Sequence, residues 1–157
     1  MRKRLIARTP EVVGSHGDGL LDVSREAIVE VTSEDKDHPV ESAFAPDQAV
    51  GWRAGRPGPQ TIRLVFDKPQ MIKHISLVFE ETETARTQEF VLRWSPDAGI
   101  SFKEIVRQQW NFSPPETTRE VEEYQVELSN ATILELTIVP YTGGGEARAS
   151  LRSMRLS

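Results

Sequence analysis

The chain has 157 residues, no cysteine, and a formal net charge of −5 at pH 7 from 24 acidic and 19 basic side chains. That length suits one domain around one core, and the missing thiols exclude disulfides, thiol catalysis, thiolate metal sites and iron–sulfur clusters. The acidic balance argues against a nucleic-acid partner, which needs clustered positive charge, and no apolar run approaches the ~20 residues of a membrane helix.

The N-terminus, Arg2-Lys3-Arg4-Leu5-Ile6, has a basic flank, but Arg8, Pro10 and Glu11 stand where a signal peptide would carry its apolar core. A cytoplasmic location is therefore expected. Arg2, Lys3, Arg4 and Arg8 read as a solvated tail rather than a binding arm. Gly14, Gly17 and Gly19 make the following stretch a loop, and Asp22 or Ser24 offers a cap for a short helical turn. Residues 1–26 are thus an N-terminal extension, partly loop, and residues 27–157 the domain proper. Packing of the extension on the domain is left open by its pattern.

From Ala27 the chain alternates in period two. Ala27–Thr32 is rich in β-branched residues and reads as the first strand. A long acidic loop from Ser33 to about Gln60 follows, punctuated by Pro39, Pro46, Pro57 and Pro59; loops of that length in compact domains are usually functional or packed on themselves. Thr61–Phe66 and Ile72–Phe79 each place large apolar side chains in one phase, with a turn expected at Asp67-Lys68-Pro69-Gln70. Phe90, Leu92 and Trp94 form the next stripe. It stops at Ser95-Pro96-Asp97-Ala98-Gly99, where proline fixes φ, aspartate can bond its own backbone and glycine supplies positive φ. A return arm runs from Phe102 to about Phe112, and Pro114-Pro115 breaks the chain. Val121–Leu128, Ile133–Val139 and Ala149–Leu156 complete about eight strands, without a convincing amphipathic helix. This pattern predicts an all-β fold, an antiparallel β-sandwich of about eight strands.

Candidate chemistry is sparse. His16, His38 and His74 form no metal-binding pair, and no nucleophile elbow or phosphate loop is present. Ser33, Asp35 and His38 are close in sequence, which alone does not make a triad. Glu80-Glu81 and Glu122-Glu123 are strand neighbours that point to opposite faces, so neither suits glycoside hydrolysis. No enzyme is expected. Two tryptophans draw attention instead. Trp52 lies beside Arg53 and Arg56, where its ring could stack on a sugar or plug the core. Trp110 lies among Arg107, Gln109 and Asn111 near a strand end, an aromatic face with a polar rim, equally open to packing.

The order of motifs resembles the discoidin family, also called the coagulation-factor C-type domain, within the galactose-binding-like jelly rolls. The resemblance lies in Val31-Thr32-Ser33, Ala43 followed by Asp47, Gly51-Trp52, and Gln60 to Phe66 with Pro69, Ile72 and Ile75. It continues through Phe90, Trp94-Ser95-Pro96-Asp97-Ala98-Gly99, Phe102 and Ile105, then Leu134 to Ile138 and Leu151 to Leu156. It implies a non-catalytic module that grips carbohydrate or another small polar ligand with loops at one end of the sandwich. Trp52, Arg53, Arg56, Arg107, Gln109, Trp110 and Asn111 are the candidate ligand-binding residues. It also implies the alternative, an intracellular protein-interaction domain like the scaffold domains of DNA repair, so the partner is carbohydrate or protein, without nucleic acid or membrane. Some resembling domains carry a structural calcium ion. Asp47 matches its aspartate and is the one candidate metal ligand. Gln48 replaces the usual glycine and Ser153 the usual glutamate, which weighs against calcium, and no other cofactor is expected.

Overall fold

The computed structural model describes residues 2–6, 11–12, 20–46 and 50–157. In chain order these form β1 (Arg2–Leu5), β2 (Glu11–Val12), α1 (Val23–Glu26) and β3 (Ala27–Val31). A 3-10 turn (Val40–Ala43), β4 (Trp52–Arg53), β5 (Gln60–Glu80), β6 (Arg86–Ser95) and β7 (Lys103–Phe112) follow. The chain ends in β8 (Arg119–Val139), β9 (Ser150–Leu151) and β10 (Ser153–Leu156).

The strands pair in the order β2-β1-β3-β5-β8-β6-β7, with β10 against β5 and a separate ribbon of β4 with β9. Two strands of 21 residues, β5 and β8, run antiparallel to each other and tie the layers together. Their register slips between Val65 and Gln70, again to Ile72, and again to His74. These bulges bend the pair, because an unpaired extra residue kinks a strand and increases its twist. The first half of β5 pairs with β3, and its second half, with β10, turns across the core. Phe79 of that second half stacks on Phe90 of β6 with centroids 5.1 Å apart, which joins the two layers.

The all-β sandwich stands, but its strands number ten among the described residues. The expected turn at Asp67–Gln70 and the break at Ser129-Asn130 are both bulged bends inside continuous strands, since β5 and β8 pair on either side of the irregularity. The last expected strand divides into β9 and β10, and β1, β2 and β4 add short pieces.

The core follows the period-two stripes. β3 alternates buried and half-buried residues, and Ile62, Leu64, Leu77, Phe79, Phe90, Leu92, Leu134 and Leu136 are all within 1% of full burial. Each such side chain contributes on the order of 1.5–3 kcal/mol by transfer from water. Asp22 caps α1 by accepting the Ser24 backbone N–H at 3.1 Å. The central turn closes as its residues dictate: Ser95 Oγ accepts the Gly99 N–H at 2.9 Å, and Asp97 accepts the Ser101 N–H at 2.8 Å. Ala98 and Gly99 both take positive φ there, 59° and 92°.

The basic N-terminal residues are not a solvated tail. β1 pairs in parallel with β3, Arg2 opposite Ile28 and Leu5 opposite Val31. Arg2 bonds Asp67, Arg4 pairs with Glu30 at 2.9 Å, and buried Lys3 pairs with Glu34 at 3.0 Å and with Glu41. Arg8 lies outside the described residues. No helix among the described residues is long and apolar enough to cross a membrane.

Candidate functional site

At one end of the sandwich a cavity of about 620 Å³ opens beside the β4–β9 ribbon. The ribbon forms because Trp52 pairs with Leu151 and Arg53 with Ser150. Gly51 permits it. Its φ is +74°, and a Cβ there would sit 2.8 Å from the Leu151 carbonyl oxygen, closer than any side-chain carbon is tolerated. Trp52 is 1% exposed, and its Nε1 donates to the Ser33 carbonyl at 3.0 Å. The ring therefore forms a fixed floor rather than a free platform.

The facing wall is the β5–β6 connection. Glu81 accepts from Arg86 Nε at 2.8 Å and from the backbone N–H groups of Glu83 and Thr84 at 3.0 and 3.3 Å. Burial alone would raise the Glu81 carboxyl, but the Arg86 side chain and these amides outweigh it and hold the group below its ordinary range. Arg86 is itself buried. It donates to the Pro140 carbonyl at 2.6 Å and lies over the Phe112 ring at 4.8 Å. Glu80 is held by Arg152 and, at 3.7 Å, by Arg119. The rim carries exposed Arg53, Arg148 and Tyr141. Neither arginine side chain makes a hydrogen bond or salt bridge among the described residues, although the Arg53 backbone bonds His38 and Asp35, so both guanidinium forks are available to a ligand. His38 also lines the cavity, 3.5 Å from Asp35, while Ser33 donates instead to Gln60 at 2.7 Å. No Ser-His-Asp relay is assembled.

Of the residues expected to bind ligand, this cavity gathers Trp52 and Arg53. Arg56 lines a separate hollow of about 410 Å³ near Leu5 and Ser33, and donates to the Thr32 carbonyl at 3.1 Å. Arg107, Gln109 and Asn111 are exposed along the outer face of β7. Arg107 pairs there with Glu89 at 2.8 Å and Glu104 at 2.9 Å, and Asn111 accepts from Thr87 at 2.6 Å. Strand alternation turns Trp110 the other way, half-buried against the core. The tryptophan and its expected polar rim thus occupy opposite faces. Asp47 lies outside the described residues, and Ser153 is buried on β10 opposite Val78. Among the described residues no cluster of three or more histidine, aspartate or glutamate side chains is arranged to hold a metal. Tyr141 and Arg148 were not expected in a site. Their sole local signal is the glycine triplet between them, which reads as a loop.

A protein-family model described as the XRCC1 N terminal domain matches residues 21–137. The chain belongs to this family. The match to the XRCC1 N-terminal domain runs from the residue before the α1 cap to near the end of β8. It takes in Trp52, Arg53 and the Glu81–Arg86 wall and stops before Tyr141 and Arg148. No curated protein matches the chain. Among solved structures, the chain is similar to a pectin-binding carbohydrate-binding module, at 19% identity and a TM-score of 0.63 over 85% of this chain and 91% of that one. A Clostridium perfringens family 32 module in complex with GalNAc-β-1,3-galactose aligns at 19% identity and a TM-score of 0.62, covering 82% and 92%. The family 32 module of AlyQ, in complex with 4,5-unsaturated mannuronic acid, aligns at 14% identity and 0.61, also covering 82% and 92%. These likenesses establish the fold, a discoidin-type, galactose-binding-like jelly roll.

Proposed function

We propose that this chain is a non-catalytic binding module that takes a carbohydrate, or a similar small polyhydroxylated ligand, in the end cavity. The observation that carries this reading is the composition of the rim. Two guanidinium groups with no side-chain hydrogen bond among the described residues, Arg53 and Arg148, and an aromatic ring, Tyr141, surround a Trp52 floor and a Glu81–Arg86 wall whose own hydrogen bonds are already made. Polyol recognition needs fixed donors, fixed acceptors and one apolar face in a hollow of this size. The modules that share the fold support the reading, since those named above are a pectin-binding module and two modules in complex with sugars.

The edge of β7, which pairs only with β6 among the described strands, and its polar outer face favour a second reading, docking of a protein. Calorimetric titration against a panel of neutral and acidic oligosaccharides separates the two. Saturable sugar binding, abolished by filling the cavity with Ser150→Trp, supports the first. A protein with no sugar ligand on the panel, but with a stoichiometric protein partner lost on β7 substitution, supports the second.

A further inference from the structure

Glu120 and Glu122 stand two residues apart on β8, so both side chains leave the same face of the strand. That face is the inner one: Glu120 is fully buried and Glu122 half-buried. Among the described residues neither Oε2 has a hydrogen-bond partner, though both are buried, and the same holds for the Tyr124 hydroxyl on the same strand and the Trp110 indole N–H on β7. On β6, Gln88 stands in register with Trp110 of β7, and Gln88 Nε2 donates to Glu120 Oε1 at 3.3 Å. Gln88 Oε1 accepts from Arg86 at 3.2 Å, and Arg86 Nε donates to Glu81 at 2.8 Å in the cavity wall. A line of polar side chains therefore runs from the end cavity, through Glu81, Arg86, Gln88 and Glu120, to Glu122.

Two carboxyls on one inner strand face, one fully buried and one half-buried, repel when both are charged unless a cation lies between them. The groups facing them are Arg86 and Gln88 from β6 and Tyr124 from β8, while apolar Phe79 and Leu77 of β5 pair with them across the ladder. Arg86 is the cation among these, and it is already bound to Glu81. We propose that Glu120 and Glu122 share one proton on the inner face of β8. When that proton is lost to solvent, the new charge is transmitted through Gln88 to Arg86, whose guanidinium then shifts from Glu81 toward the interior carboxylates. The cavity wall thereby senses the protonation of the core.

Burial, then the neighbouring Glu122 carboxyl, push the Glu120 carboxyl up to about 9. The shared proton is thus held at neutral pH and released on the alkaline side. Burial and the two carboxyls also push the Tyr124 hydroxyl up, so the tyrosine stays neutral across this range. The consequence for ligand binding rests on the cavity reading above; the proton-sharing pair itself does not.

The test is a carboxyl-carbon NMR titration of the full chain labelled at glutamate, followed together with the arginine Nε–H resonances, from about pH 5 to about pH 10. The expected result is one glutamate midpoint far above the others, absent in Glu120→Gln, and an Arg86 resonance that moves with the same midpoint. In Gln88→Met, Glu120 still titrates late while the Arg86 resonance becomes flat. That variant keeps both carboxyls and so tests the relay even if Glu120→Gln does not fold. All glutamates titrating below about pH 6, or an unmoved Arg86 resonance through the Glu120 transition, overturns the proposal. No sugar enters the experiment, so its failure leaves the ligand reading intact, and a sugar-blind cavity leaves this result intact.

Discussion

Arg63 of β5 grips Glu135 of β8 through one oxygen, from Nε at 2.9 Å and from Nη2 at 2.7 Å. Arg93 of β6 takes the other oxygen, at 3.0 Å from its Nε. The register places Arg4, Glu30, Arg63, Glu135 and Arg93 side by side across β1, β3, β5, β8 and β6. Alternating charge thus runs across five strands, with Arg63 also 3.4 Å from Glu30. Cross-strand pairs of opposite charge favour one register over its neighbours, because a slip by one residue moves every member to the other face.

Glu135→Gln should therefore destabilise the fold. The carboxylate is 2% exposed while Arg63 and Arg93 are 33% and 42% exposed, so both cations regain water and only part of the interaction is lost. A loss of about 1–3 kcal/mol is expected, the range for hydrogen bonds to charged groups discounted for exposure. Urea denaturation checks it: the midpoint should fall with an unchanged slope. An unchanged midpoint means that the row does not stabilise the sheet.

Stability should fall on both sides of mildly acidic pH. Burial would raise the Glu135 carboxyl, but Arg93 and Arg63 bonds outweigh it and hold the group below its usual value of 4.5. The unfolded chain then binds this proton at higher pH than the folded one, so the contribution is full above about 4.5 and fades as pH drops through the depressed value. Glu81 behaves the same way. Glu120 has the opposite sign: raised to about 9, it favours folding while protonated, and its contribution drains away from about 4.5 up to about 9. Thermal midpoints measured across this range should show an acid limb that flattens in Glu135→Gln and an alkaline limb that flattens in Glu120→Gln. A profile level from pH 5 to 9 contradicts the second.

What could be read from residues alone was whatever is decided locally. The Ser95–Gly99 turn follows from its own side chains, and the stripes of Phe90, Leu92 and Ile62, Leu64 point inward as their spacing requires. Trp110 misled because its polar neighbours alternate to the opposite face, so adjacency in sequence became separation in space. Glu120 and Glu122 are not adjacent in sequence, yet a strand unites residues two apart on one face. The rest was beyond local reading. Lys3 finds Glu34 and Glu41, 31 and 38 residues away, and Arg53 shares the cavity rim with Arg148 because β4 pairs with β9.

Lys3→Met should reveal how far β1 belongs to the domain. The side chain keeps its apolar stem, but Glu34 and Glu41, at 15% and 21% exposure, lose their shared cation. Two facing carboxylates then repel while partly shielded from water, a cost of about 1–3 kcal/mol. Hydrogen exchange at the β1–β3 ladder should accelerate before the rest of the sheet if β1 opens on its own. Lys3→Arg should restore most of the loss, since it keeps the charge. Exchange and midpoint both unchanged in Lys3→Met would show that the ion pair contributes nothing.

Arg53→Ala with Arg148→Ala should weaken any sugar that binds, without moving the unfolding midpoint. Both arginines are exposed and their side chains make no hydrogen bond or salt bridge among the described residues, while the backbone bonds of Arg53 survive truncation, so the folded state loses little when the side chains go. A ligand loses two forked donors, and a hydrogen bond to a charged group is worth about 1.5–3 kcal/mol, so at least a tenfold rise in Kd is expected. The matched control is Arg107→Ala with Asn111→Ala on the outer face of β7, which removes comparable polarity away from the cavity. Titration of all three proteins with the same sugar decides between the surfaces. Loss confined to the Arg53 and Arg148 variant places recognition in the cavity, because its floor, fixed by Trp52 and Gly51, is untouched by either pair of substitutions. Loss confined to the β7 variant moves recognition to the sheet face, where a flat polar surface fits a macromolecule better than a small ring.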